Sequence, residues 1–113
     1  TSIPVESISA LVEKVAVPVC VTACAADDVV RRQIAAGASI VNVAAGSRTP
    51  QVVEALRREY PDLPIIATGG PTDDAIRATI AAGADAVSWT PPAIADLERE
   101  VMEKARRLAA ELL

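Results

Sequence analysis

Histidine is absent from this chain. Imidazole acid–base catalysis and most zinc or iron sites are thereby excluded from it. Lysine is nearly as scarce. Lys14 and Lys104 both fall in stretches of helical periodicity, so none stands where a Schiff base inside a barrel would need one. Phenylalanine is missing and tryptophan and tyrosine occur once each, yet 51% of the residues are hydrophobic, so the bulk must come from Ala, Val, Ile and Leu. Such a core suits helices packed thinly on parallel strands better than a sandwich of aromatic layers. The two cysteines, Cys20 and Cys24, lie on and just past one expected strand, where an extended chain holds them too far apart to bridge. Free thiols in a cytoplasmic protein are the expectation. Apolar runs are short and broken by Pro, Gly or charge, and no secretory leader pattern is present. A net charge of -4 without a basic stripe argues against nucleic acid or anionic membrane as partners. The chain opens at Thr1 without an initiator Met, which leaves processing, or origin in a longer protein, open.

What is present is a regular alternation of short apolar runs and helical stretches. β-branched runs at 17–22, 39–44, 64–68 and 85–89 read as strands. Helices are expected at 4–15, 27–36, from Thr49 to before Pro61, at 73–82 and at 94–112. Thr49 is expected as a cap with Pro50 at the first helical position, and Gly37 and Gly83 as left-handed stops. Laid on itself with a shift of 46, the chain matches Pro18 to Pro64, Thr22 to Thr68, Asp27-Asp28 to Asp73-Asp74, Arg31 to Arg77, and 34–38 to 80–84. Residues 1–113 therefore read as one α/β domain with an internal repeat, 18–63 and 64–109, preceded by an extra N-terminal helix.

The strand faces carry the architecture. Val19, Val21, Val41, Val43, Ile65, Ala67, Val87 and Trp89 form one apolar set expected to meet helices, with Trp89 as core. The alternate set, which includes Thr22, Asn42, Thr68, Ser88 and Thr90, turns small and polar toward the strand C-termini. An open doubly wound sheet wants both faces apolar, whereas a barrel places a polar mouth at that end. The expectation is a (βα)4 half of a TIM barrel, parallel strands with outer helices. Four strands leave two edges open, so the expected partner is another half barrel: a second copy, as a homodimer, or a missing N-terminal half.

A candidate ligand site follows from the turn after the third strand, Ala67-Thr68-Gly69-Gly70-Pro71-Thr72. Paired glycines allow positive φ and close approach of the backbone, and Thr72 is placed to cap a helix whose N-terminus favours an anion. The same residues also read as a plain tight turn. Asn42, interrupting an apolar strand, and Arg48, in a loop on the ligand side, are further contact candidates, and each also has a bland reading as a backbone partner or a solvated cation. Asp27, Asp28, Asp73 and Asp74 lie where carboxylates complement helix dipoles, and no metal site is expected. Cys24 precedes a helix without a base in view, and reads as a loop residue.

The run from Pro64 to Gly70, followed by 80–87, resembles strands seven and eight of phosphate-binding TIM barrels. Residues 65–92 with 42–50 are similar to the C-terminal half of a bacterial TIM-barrel family often labelled "hydrolase". The resemblance implies phosphate binding at Gly69 and Gly70 with Thr72 adjoining, and hydrolase or phosphosugar-type chemistry if the barrel is completed. Thr90-Pro91-Pro92 departs from it, since a Gly-Ser or similar pair is usual there and proline offers no N–H. The expected ligand is a phosphorylated small molecule, phosphate or sulfate, with no cofactor. Two alternatives stand beside it: a self-assembling half barrel without turnover, and a flavodoxin-like binding module covered on both faces.

Overall fold

The computed structural model describes residues 3–70, 72–89 and 93–112. The order of elements is α1 (Val5–Lys14), β1 (Cys20–Ala23), α2 (Asp28–Ala35), β2 (Ile40–Val43), a 3₁₀ turn (Gly46–Arg48), α3 (Thr49–Glu59), β3 (Ile65–Thr68), α4 (Asp73–Ala81), β4 (Ala86–Ser88) and α5 (Ile94–Leu112). The four strands form one sheet in the order β1-β2-β3-β4, every pair parallel. Strands that are neighbours in sequence are neighbours in space, so the sheet has no switch point of the kind on which a flavodoxin-like fold is built.

Side-chain alternation sorts the two faces as expected. Val21, Ala23, Val41, Val43, Ile65 and Ala67 are buried, with Val30, Val52, Val53 and Leu56 packed onto them from α2 and α3. Full burial of a side chain of this size contributes about 1.5–3 kcal/mol. On the opposite face Cys20, Thr22, Thr68, Ala86 and Ser88 are exposed, and Ile40, Asn42 and Ile66 are half-buried. The architecture is thus α/β with a parallel sheet carrying its buried side chains on one face, an arrangement consistent with a (βα)4 half barrel.

Helix boundaries follow the local chemistry. Asp27 caps α2, its Oδ1 accepting from Val29 N at 3.1 Å and Val30 N at 3.2 Å. Thr72 caps α4, Oγ1 accepting from Ala75 N at 3.2 Å. Both helices end in the same way: Gly37 at φ 113° donates to Ile34 O, and Gly83 at φ 112° to Ile80 O, each at 3.0 Å. The repeat seen in sequence is a repeat in hydrogen bonding.

That repeat extends further upstream than the sequence showed. A Cβ on Gly37 would meet Val12 of α1 at 2.9 Å, and a Cβ on Gly83 would meet Arg57 of α3 at 2.9 Å. Ile8 of α1 and Val53 of α3, four residues earlier in each helix, are both buried. α1, the extra helix ahead of β1, thus stands to Gly37 as α3 stands to Gly83.

Three expectations are corrected. Thr49 is not a cap. It is the first residue of α3, buried, and its Oγ1 accepts from Ala45 N at 3.0 Å, tying the preceding loop to the helix. Trp89 is not core but 52% exposed: it lies just past the end of β4, the strand on which α4 packs. The strands are also shorter than expected: Val17 is exposed and Pro18 has no N–H, so β1 begins only at Cys20, opposite Ile40. No helix among the described residues is long and apolar enough to cross a membrane.

Candidate functional site

The C-terminal ends of β2 and β3 open into a cavity of about 650 Å³ that lies between α3 and α4. Ala44, Gly46, Ser47, Thr49 and Pro50 form one wall, and Thr68, Gly69 and Gly70 form the floor. Ala75, Ala78 and Thr79 of α4 complete it. The lining is mostly small and apolar. Two of its hydroxyls are already engaged, since Thr49 Oγ1 accepts from Ala45 N and Thr79 Oγ1 donates to Ala75 O at 2.8 Å. Ser47 is an exposed hydroxyl residue of the wall without such a bond, and Thr68 borders the floor at the end of β3, its side chain alternating onto the open face of the sheet.

Gly69 and Gly70 are needed here for a reason other than the one expected. Neither has positive φ; among the described residues that conformation occurs at Gly37, Gly46 and Gly83. The constraint is steric. A Cβ on Gly69 would stand 2.6 Å from Val87 Cγ1 and 3.3 Å from Ser88 O, and one on Gly70 would stand 2.7 Å from Ala75 Cβ. The missing side chains let β3 run against β4, fixed by Gly69 N donating to Ser88 O at 2.8 Å, and then turn into α4 under the cavity.

The sequence candidates divide in space. Thr68, Gly69 and Gly70 share the floor, Thr72 caps the adjoining helix, and Arg48 sits exposed between the lining residues Ser47 and Thr49. Asn42 belongs elsewhere: its side chain is on the open face of the sheet, where Nδ2 donates to Thr22 Oγ1 at 3.5 Å. Thr90 lies outside the described residues. Ser47, Thr49, Pro50, Ala78 and Thr79 were not expected as ligand-site residues from sequence, because a crevice between two helices is made by residues distant in the chain.

Charge around the cavity comes from few groups. A helix N-terminus carries roughly half a positive charge. Asp73 and Asp74 in the first turn of α4 offset it, with Asp74 pairing to Arg77 at 3.5 Å. Arg48, exposed, adjoins the wall residues Ser47 and Thr49 in sequence and does not itself line the cavity. Asp27 is occupied as a cap, and Asp28 pairs with Arg31 at 3.0 Å, so these carboxylates have structural work. Cys20 and Cys24 are free and exposed. Among the described residues no group of three or more His, Cys, Asp or Glu side chains is placed to hold a metal ion.

The far end of the sheet is a separate, structural centre. Arg57 donates to Gly83 O from Nε at 3.0 Å and Nη2 at 2.8 Å, to Pro61 O and Leu63 O from Nη1 at 2.8 Å each, and to Asp85 Oδ2 at 2.8 Å. Asp85 Oδ2 also accepts from Ile65 N at 2.9 Å. That backbone bond first, and the Arg57 guanidinium second, hold the Asp85 carboxyl below its ordinary range. No protein-family model matches the chain, and no curated protein matches it.

Proposed function

We propose that this chain is a (βα)4 half barrel of the phosphate-binding TIM type that binds a small molecule with an apolar body and one anionic group, a phosphate ester being the best fit. The carrying observation is the cavity at the C-terminal strand ends, floored by two residues at which a Cβ would collide with neighbouring atoms. Its volume is that of a small-molecule site, and its apolar walls with few polar groups follow the usual composition of such sites. The alanines and Pro50 receive the body of the ligand. The anion sits at the glycine turn, near Ser47, Thr68 and the first turn of α4, with Arg48 supplying the countercharge that Asp73 and Asp74 otherwise cancel. Among the described lining residues the polar side chains are hydroxyls, and the reading is of a binding site.

The test is an amide-resolved NMR titration with inorganic phosphate and, separately, butyl phosphate. Shifts confined to Ser47, Thr68, Gly69, Gly70 and Asp73 are expected, with butyl phosphate binding more tightly, in about the millimolar range or below. Arg48→Ala should weaken both. Absence of shifts at the glycine turn with either compound overturns the reading.

A further inference from the structure

α5 is the element that the ligand site leaves unexplained. It is 19 residues long and none of them is buried. Ile94, Leu97, Val101, Leu108 and Leu112 fall on one stripe with the helical period and are 41–84% exposed. The radius of gyration is 19.2 Å and the longest dimension 68 Å, against about 13 Å for the radius of a compact domain of this length. α5 therefore projects from the body instead of covering it.

The internal repeat identifies the kind of surface such a stripe fits. With a shift of 45, Thr49, Val52 and Leu56, the buried face of α3, fall on Ile94, Leu97 and Val101 of α5. The face is narrower by one residue, since Glu98 stands at the place of Val53. In the first half of the chain α3 packs against β2, and Val41 and Val43 are fully buried while Ile34 is partly buried on the same core. The 46-residue shift carries those three to Val87, Trp89 and Ile80. There Trp89 is 52% and Ile80 56% exposed. One molecule thus holds an uncovered helix, α5, and, where α4 meets β4, two uncovered apolar side chains at positions whose counterparts lie in the core.

We infer that two copies of this chain exchange α5, the stripe of each helix docking on the Ile80–Val87–Trp89 patch of the other. The contact is isologous and is made twice. A helix of this length is about 28 Å long and about 10 Å across, so its face offers on the order of 300 Å². Each copy contributes both a helix and a patch, which approaches the ~800 Å² per partner of a stable interface. The inference does not depend on the ligand site: it concerns the outer, helix-bearing side of β4, and phosphate titration leaves it untouched.

Trp89 is the single tryptophan and lies within the patch, so it reports on the exchange directly. Light scattering with size exclusion should give twice 11.7 kDa, and dilution should red-shift Trp89 emission in step with loss of the dimer. Leu97→Asp with Val101→Asp should give a monomer with unchanged circular dichroism of the body and red-shifted emission. Ile80→Asp, on the other side of the contact, should do the same, and covers the case in which the α5 variant aggregates. A wild-type monomer at all concentrations, an open-ended series of oligomers, or a dimer that survives both changes overturns the inference. A monomer with blue-shifted Trp89 would mean that α5 folds back on its own patch, and also overturns it.

Discussion

Replacing Arg57 by methionine should destabilise this protein more than replacing any other charged side chain in its body. The substitution keeps the apolar stem that packs beside Gly83 and removes the guanidinium. Lost with it are hydrogen bonds to three carbonyls, those of Pro61, Leu63 and Gly83, and to the Asp85 carboxylate. These acceptors belong to the turn after α3, the turn after α4 and the start of β4, so one side chain joins three segments. Hydrogen bonds involving a charged group contribute ~1.5–3 kcal/mol each when buried. The Arg57 side chain is 23% exposed and that of Asp85 60%, so water replaces part of the loss and the simple sum overstates it. A total near 2–3 kcal/mol is expected, a large share of the ~5–15 kcal/mol that holds a domain of this size together. Urea unfolding should show a midpoint lower by about 2 M at an unchanged slope, given slopes of ~1–1.5 kcal/mol/M for small proteins. Arg31→Met is the control: its ion-pair partners Asp28 and Glu59 are exposed and it donates to one carbonyl, that of Ala26, at 3.3 Å, so its midpoint should move far less. A midpoint for Arg57→Met within experimental error of the control would refute the view that this guanidinium fastens the lower end of the sheet.

The remaining expectations concern pH and the glycine turn. Because the Asp85 carboxyl titrates below its ordinary 3.8 in the folded chain, its contribution is complete above that value and is lost as pH falls through the folded pKa. Acid unfolding followed by circular dichroism should therefore steepen below about pH 4 in the wild type. That extra steepness should vanish in Asp85→Asn, and an unchanged acid limb in the variant would contradict the assignment. Gly69→Ala places a methyl group 2.6 Å from Val87 Cγ1 and should cost about 1–3 kcal/mol by overpacking. The corresponding fall in Tm is roughly 4–8 °C per kcal/mol for a domain near this size, and a variant that melts with the wild type would show that β4 moves aside freely.

Much of the body was legible in the sequence because the signals were local. Two-residue alternation in 19–22 and 40–43 sorted buried from open faces, and the shift of 46 predicted matching helix stops at Gly37 and Gly83, which share φ to within a degree. Features that depend on which distant segment arrives were not legible. Trp89 reads as core in any alternation pattern, yet its burial requires a cover that α5 does not supply. Thr49 carries the residue type of a cap, but the loop from Ala45 turns back onto its hydroxyl and leaves Arg48 at the helix boundary. The role of α1 was hidden because Val12 and Arg57 share no chemistry, although each fills the space beside the glycine that ends the following helix. For the cavity, the glycine turn marked the right end of the sheet. The small residues Ala75 and Ala78, three apart on one side of α4, were the signal that a crevice rather than a packed interface lies against Pro50.

The unbroken β1-β2-β3-β4 order also governs how this molecule comes apart. Each strand is bonded only to its predecessor and its successor in the chain, so every βα segment leans on adjacent segments, in the manner of a stacked array. Cohesion is greatest midway, around Val41, Val53, Leu56 and Ile65, and thins toward either terminus. Opening then proceeds by peeling from the outside inward, with the central strand pair the last to yield its amide protons to exchange.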